Sequence, residues 1–298
     1  MRIRSWKQGS TIVFATLVAA VVLLLNGKTV FAQTQTQPYG YEERGFTAYE
    51  DIRASDSNFG QFLIFDTSFG YQFNNHVGAD VGVPVYLVRP TFPGQPHQWD
   101  YNIGDPYGDL RLTFNNNILN YDTAFTVSVP ANETGQFSTG RMGLDWFNHF
   151  DRPVWRFTPF VNAGVANGVL DTRLLSQPFR LADSFKTLGF LADVEGGMDF
   201  RVVRYVSVGG SYYELFPGGD QKVYNGITNF FLTPPAGETV SDVTHDRGYS
   251  SWIRLMGGRT FYIEAAYVHS IKLNNDAGTL TLGIDLKSLF TRPAALAH

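Results

Sequence analysis

Apolar and polar residues alternate along most of this chain. Between residues 60 and 73, Leu63 and Phe65 fall on one side of the pattern, while Asp66 and Ser68 fall on the other. A period of two indicates a β-strand with one apolar and one polar face. About twelve such segments follow one another, each of roughly 9–14 residues, which is long enough for a tilted strand to cross a bilayer.

The links between these segments alternate in length. Asn74-Asn75 is a tight turn, whereas long polar stretches occupy residues 89–106, 169–186 and 217–247. Alternating short turns and long loops are typical of outer-membrane barrels. The expected fold is therefore all-β, an antiparallel transmembrane β-barrel of about twelve strands over residues 44–290, followed by a C-terminal tail at 291–298.

The N-terminal region has a different pattern, with an apolar run at residues 11–25 that follows Arg2, Arg4 and Lys7. A basic start, an apolar centre and a small residue at position 32 predict a cleaved secretory signal peptide over residues 1–32. Residues 33–43 form a polar leader without periodicity. The predicted destination is the outer membrane of a bacterial cell.

Composition narrows the possible functions. The chain has no cysteine, which excludes disulfides, thiolate zinc sites and cysteine nucleophiles. Removal of residues 1–32 would leave 19 Lys and Arg against 27 Asp and Glu, a formal charge of −8. An acidic chain without a basic stripe is a poor partner for nucleic acid, so none is expected.

Charged residues of both signs recur on the polar faces of the predicted strands. A soluble β-sandwich would turn these faces to water, whereas a membrane barrel turns them into its lumen. We interpret them as residues that line a lumen, where acids and arginines can pair. The candidates are Asp66, Asp80, Asp109, Arg111, Arg141, Asp145, Arg156, Asp193, Glu195, Asp199, Glu264, Asp285 and Lys287.

The longest predicted loop, residues 217–247, contains an apolar cluster at Phe230, Phe231 and Leu232. An external loop surrounded by water has little reason to carry such a cluster. The three residues are therefore candidates for a constriction folded into the mouth of the barrel. Contact with lipopolysaccharide or with the barrel rim is the alternative interpretation.

Residues 107–150 carry a resemblance to a known family. Gly108-Asp109-Leu110-Arg111 opens a strand, and a later strand ends in Val129-Pro130 before a polar loop. This stretch resembles the outer-membrane transporter-type family linked to the meta-cleavage pathway of phenol degradation. The family usually has Pro-Thr-Gly in that loop, where this chain has Pro130-Ala131-Asn132. The resemblance implies a channel or transporter for small organic molecules, and it implies no binding residues.

No pattern in the chain predicts catalysis, a metal site or a cofactor. His269 and Ser270 are neighbours on a strand, so they point to opposite faces and cannot form a catalytic dyad. His76 and His149 lie near predicted turns, which favours an interfacial position for both. The glycine pairs Gly196-Gly197 and Gly209-Gly210 lie within strands and indicate kinks or close packing.

The sequence thus predicts a non-enzymatic barrel that acts as a passive channel for small solutes, with a polar lumen of mixed charge. Outer-membrane lipid, lipopolysaccharide and the barrel assembly machinery are its expected partners. Three alternatives stay open at this point: an enzyme within a barrel, a structural or adhesive surface barrel without transport, and a soluble exported β protein.

Overall fold

A computed structural model gives the fold. It describes residues 44–57, 60–90, 99–116, 118–131, 142–167, 190–218, 223–224, 238–239, 245–257, 260–272 and 274–287. The predicted signal peptide, leader and tail lie outside these residues, as do Arg141, Phe230, Phe231 and Leu232. Within the described residues, no helix is both long enough and apolar enough to cross a bilayer.

Strands account for most of the described residues. The first eight are β1 (Gly45–Ser57), β2 (Gly60–Gln72), β3 (Val77–Pro90), β4 (Asp100–Ile103), β5 (Tyr107–Asn115), β6 (Asn120–Ser128), β7 (Gly143–Asp151) and β8 (Phe157–Ala166). The others are β9 (Phe190–Val203), β10 (Val206–Gly218), β11 (Val223–Tyr224), β12 (Glu238–Thr239), β13 (Asp246–Gly257), β14 (Phe261–Ser270) and β15 (Asn275–Asp285).

Antiparallel pairing closes these strands into a barrel. The order around the wall is β1, β2, β3, β5, β6, β7, β8, β9, β10, β13, β14 and β15, and β15 pairs with β1 to complete the circle. The short β4 pairs with β3 beside β5, while β11 and β12 pair only with each other. The prediction of a twelve-stranded antiparallel barrel is confirmed.

The wall segment formed by β4 and β5 is interrupted at residues 104–106. The neighbouring segments bond this break from both sides: the Gly104 amide donates to the Pro84 carbonyl, and the Val129 amide donates to the Pro106 carbonyl, both over 2.8 Å. The Ala131 amide donates to Asp105 Oδ1 over 3.0 Å. The wall therefore stays hydrogen-bonded where the strand itself stops.

The outer face of the barrel is apolar. Large apolar side chains from strands all round the wall are exposed there, among them Phe69, Val81, Leu110, Phe125, Trp146, Val165, Val194 and Ile253. Near the end of the barrel that carries the short turns, aromatic rings contact one another across strands. The pairs are Phe46–Tyr71, Phe114–Tyr121, Tyr121–Phe150 and Phe157–Phe200, with ring centroids 4.7–6.1 Å apart. Such a ring is the aromatic girdle of a membrane interface.

The inner face is polar and largely buried. Its residues alternate with the exposed apolar ones, as in β8, where Thr158 and Asn162 are buried and Val161 and Val165 are exposed. Apolar outside and polar inside is the inverse of a water-soluble β-sandwich. This arrangement identifies a transmembrane barrel and excludes the soluble β protein.

Candidate functional site

Most of the predicted luminal carboxylates lie on the inner face and are buried. Those with less than a tenth of their surface exposed are Asp66, Asp80, Asp109, Asp193, Glu195, Asp199 and Glu264. Asp145, Asp285 and Arg111 occupy inner positions of their strands and are half-buried. Each of these residues lies two or four positions from another inner residue on its own strand. The alternation along the strand therefore places both residues on the same face.

Two residues that were predicted to line the lumen, Arg156 and Lys287, lie outside the membrane-spanning strands. Arg156 lies in the turn between β7 and β8, where it is exposed and its guanidinium stacks over the Trp155 ring at 5.2 Å. It therefore belongs to the turn end of the barrel rather than to the inner face of a strand. Lys287 follows the last strand, and its Nζ approaches the start of β1 at Gly45.

Several buried polar residues were not among the sequence candidates. Asp51, Asp151 and Asp246 are buried on inner faces, but each lies in an irregular segment or at a strand end, where alternation gives no clear face. His149 is 3% exposed, so the prediction of an interfacial position for it is wrong. The alternation along β7 does indicate an inner position for His149, because His149 is two residues from Phe147 and two from Asp151, which lie on the inner face.

Arginines on the inner face lie against carboxylates of neighbouring strands. Arg111 Nε is 2.6 Å from Asp80 Oδ2. Arg254 Nε donates to Glu264 Oε2 over 2.7 Å, and its NH1 lies 3.8 Å from Asp199. Charge-assisted contacts of this kind stabilise both partners when neither is in water. They also neutralise part of the luminal charge.

Other carboxylates accept hydrogen bonds from uncharged donors. The Asn162 amide and the Ser211 hydroxyl both donate to Glu195, the former over 2.9 Å. Asn120 Nδ2 donates to Asp151 over 2.6 Å. Uncharged donors stabilise a carboxylate without cancelling its charge.

These contacts join into a polar belt that runs round much of the lumen. His149 Nδ1 lies 2.5 Å from Asn162 Oδ1, and its Nε2 lies 3.2 Å from Asp151. Ser211 in turn shares a 2.6 Å hydrogen bond with Ser250. The belt therefore links β6, β7, β8, β9, β10 and β13 through side chains alone.

Apolar side chains also line the inner face toward the end of the barrel that carries the long loops. Phe62, Ile64 and Tyr86 form one buried cluster on β2 and β3. Tyr213, Leu215 and Val268 form a second one on β10 and β14. Within the second cluster the Tyr213 hydroxyl donates to Asp246 over 3.3 Å.

The charge of the lumen is unbalanced. Among the described residues, eleven carboxylates are buried together with other polar side chains, and that set contains no lysine or arginine. Four arginines also lie on the inner face: Arg53, Arg111 and Arg254, whose side chains keep only 12–17% of their surface exposed and lie beside carboxylates, and the half-buried Arg201. An excess of fixed negative charge on a narrow wall attracts cations and repels anions.

The structure does not bring the hydroxyl of Ser270 and the imidazole of His269 together. The Ser270 hydroxyl lies inside and donates to Asp246 over 2.7 Å, whereas His269 lies outside, 2.8 Å from Asp276. The two side chains are thus on opposite faces of the wall. In the part of the chain that the structure describes, no group of three His, Asp or Glu residues is arranged to hold a metal ion.

Solved structures of outer-membrane proteins are similar to this barrel. An outer-membrane channel from Pseudomonas putida F1 matches with 8% identity over 85% of this chain and 99% of that chain, with a TM-score of 0.54. The NanC porin matches with 5% identity over 79% and 98%, with a TM-score of 0.47. The KdgM porin in complex with disordered oligogalacturonate matches with 8% identity over 80% and 99%, with a TM-score of 0.44. No family model and no curated protein matches the chain. The likeness to the Pseudomonas channel shows a shared fold.

Proposed function

We propose that this protein is a passive channel of the bacterial outer membrane that conducts small solutes. One observation carries the proposal: a closed barrel turns its apolar residues outward and surrounds a polar, charged lumen. A wall of this kind shields a polar path from lipid, which is the physical requirement for diffusion across a bilayer.

The class of solute follows from the lumen and from the family resemblance. Small organic molecules, including aromatic ones, fit apolar clusters such as Phe62, Ile64 and Tyr86 beside charged groups. The sequence of residues 107–150 supports membership of the outer-membrane transporter-type family linked to the meta-cleavage pathway of phenol degradation. The test is to add candidate aromatic solutes while the ion current through the channel is recorded. A solute that enters the lumen interrupts the current.

The proposed setting is the outer membrane, reached through a signal peptide at residues 1–32. Outer-membrane lipid and lipopolysaccharide would surround the apolar wall, and the barrel assembly machinery would insert it. Fractionation of cells that express the full chain, with N-terminal sequencing of the membrane-bound form, tests the destination and the cleavage after residue 32 together.

We further propose that Phe230, Phe231 and Leu232 narrow the mouth of the channel. Support comes from their sequence alone, since an apolar triplet is unusual in a loop that faces water. Deletion of residues 225–237, between β11 and β12, should raise the single-channel conductance. An unchanged conductance would mean that these residues do not lie in the conduction path.

The decisive experiment is single-channel recording with detergent-refolded protein in a planar bilayer. Folding is checked first by gel migration, because an unheated barrel migrates faster than the heated chain. Discrete current steps would support the channel. A folded barrel without current would instead favour a structural or adhesive barrel, or an enzyme, and hydrolase assays in detergent would separate these two.

A further inference from the structure

Asp51 and Asp66 face each other directly across the β1–β2 pair, both on the inner face of the barrel. Residues in such a pair have Cβ atoms about 4.5–5.5 Å apart, and like charges at that position are destabilising. Asp51 and Asp66 are 8% and 4% exposed, so water does little to screen their charges. The fold therefore needs a device that allows both carboxylates to stay charged.

Two tyrosines reach these carboxylates from opposite directions. The Tyr262 hydroxyl on β14 donates to Asp51 Oδ1 over 3.2 Å. The Tyr107 hydroxyl on β5 donates to Asp66 Oδ1 over 2.8 Å. Neither tyrosine is on a strand next to its carboxylate, because β15 separates Tyr262 from Asp51 and β3 separates Tyr107 from Asp66.

Each tyrosine reaches across the intervening strand at a glycine. Gly283 of β15 is paired with Tyr262, and a Cβ there would overlap the tyrosine ring. Gly82 of β3 is paired with Tyr107, and a Cβ there would overlap the hydroxyl end of that tyrosine. The missing side chain thus lets each ring lie flat along the wall and span two strand spacings.

The surroundings of the pair add charges of both signs. Arg53 NH2 lies 3.8 Å from Asp51 Oδ2 on the same strand. The other charged residues on the inner faces of the strands that flank the pair are Asp80 on β3, Asp109 and Arg111 on β5, Glu264 on β14 and Asp285 on β15. Arg111 lies against Asp80 and Arg254 against Glu264, whereas Asp51 and Asp66 each accept a hydrogen bond from a tyrosine hydroxyl. These hydroxyl donors favour the charged form of each carboxylate.

We propose that Tyr107 and Tyr262 are positioning residues for ion selectivity: each draws one carboxylate of the Asp51–Asp66 pair to its own side, so that the pair presents two fixed negative charges to a cation in the lumen. The inference rests on the proposed channel function. If one of the two hydroxyls is removed, the facing carboxylates share one proton and present a single charge. The channel then loses part of its preference for cations.

The test is the reversal potential in a potassium chloride gradient, recorded with the full chain for the unchanged protein, Tyr107→Phe and Tyr262→Phe. We expect each variant to lower the permeability ratio of potassium to chloride and to shift the reversal potential toward that of a non-selective pore, because one negative charge of the pair is lost. Tyr212→Phe is the matched control, since Tyr212 lies on the outer face of β10 and is exposed. An unchanged ratio in both luminal variants would overturn the proposal.

A double-variant cycle separates positioning from general packing. In an Asp66→Asn background, Tyr107→Phe should have no further effect on the ratio, because the carboxylate that it positions is gone. The same loss in both backgrounds would show that the tyrosine acts otherwise, and would overturn the proposal.

A second test leaves all polar groups in place. Gly283→Ala should displace Tyr262 and lower the ratio like Tyr262→Phe, whereas Gly278→Ala on the same strand has free space for its Cβ and should change nothing. Equal behaviour of the two alanine variants would contradict the proposal. Absence of current in the unchanged, folded protein would overturn the channel function itself, which is a result distinct from current with unaltered selectivity.

Discussion

The indole Nε1 of Trp252 donates a hydrogen bond to Asp199 Oδ1 over 2.7 Å, although strand β10 lies between their strands. The ring reaches the carboxylate because it lies on Gly209 of β10, its direct partner in the sheet. The same geometry recurs at Gly82 and Gly283. Side chains in this lumen therefore tie together strands that are not neighbours.

This relationship makes Gly209 sensitive to a single methyl group. In Gly209→Ala the new Cβ would overlap the Trp252 ring, so we expect a loss of roughly 1–3 kcal/mol in the free energy of unfolding. The measurement is urea unfolding in detergent, followed by gel migration. Gly196→Ala is the control, since its Cβ meets no atom within 4 Å, and equal losses for the two variants would contradict the prediction.

Arg254 is the second test of luminal packing. Arg254→Met removes the cation between Glu264 and Asp199, and loss of one partner of a buried ion pair costs about 3–5 kcal/mol. Adding Glu264→Gln should recover part of that loss, because an uncharged amide then replaces the carboxylate that has lost its partner. Unfolding of the two variants measures the recovery. If the double variant is no more stable than Arg254→Met, the pair is not the source of the effect.

A charged side chain introduced on the outer face should destabilise the barrel, and the loss should be larger near the middle of the membrane than near its surface. Ile253 lies midway along β13 with 46% of its surface exposed, whereas Val202 lies beside the β9–β10 turn. A cation on the lipid face costs about 2–4 kcal/mol at the bilayer midplane and about 0–1 near the interface. Ile253→Arg should therefore reduce folding into lipid vesicles far more than Val202→Arg. Similar yields for both would argue against the assigned membrane depth.

The excess of luminal carboxylates predicts a cation-selective current. Glu195 and Asp246 accept hydrogen bonds from uncharged donors, so both should contribute full charges to the lumen. Glu195→Gln and Asp246→Asn should each shift the reversal potential toward that of a non-selective pore. Glu50→Gln is the control, because Glu50 alternates with luminal Asp51 and bonds Thr67 on the outer face. A larger shift for Glu50→Gln than for the luminal variants would contradict this assignment.

The strand number and the two-faced wall could be predicted from the sequence, because a period of two needs only local information. The three segments with the least regular alternation, at residues 45–54, 205–216 and 250–258, are nonetheless strands. They are irregular because Tyr49, Tyr213 and Trp252 place large aromatic side chains on the inner face. An inward aromatic breaks the rule that polar residues face the lumen.

The contacts within the lumen could not be predicted in the same way. The alternation places Phe62 and Ile64 on the same face as Asp66, but nothing local shows that they pack with Tyr86 of the next strand. The hydrogen bond from Tyr262 to Asp51 joins residues 211 positions apart in sequence. It depends on the register of three strands, and one sequence contains no direct signal of that register. The sequence predicts a kink or close packing at Gly209, but it indicates neither the same role for Gly82 and Gly283 nor the rings that lie on all three glycines.

Closure of the wall by β1 and β15 also has a consequence for the order of synthesis. The first strand to leave the ribosome is paired in the finished barrel with the last one, from Tyr49 with Asp285 to Ser57 with Ala277. Until β15 is delivered, every partial sheet has two open edges, which are templates for aggregation. Translation and export must therefore run to the end of the barrel sequence before any copy can be fully paired, and until then each copy keeps two unpaired strand edges.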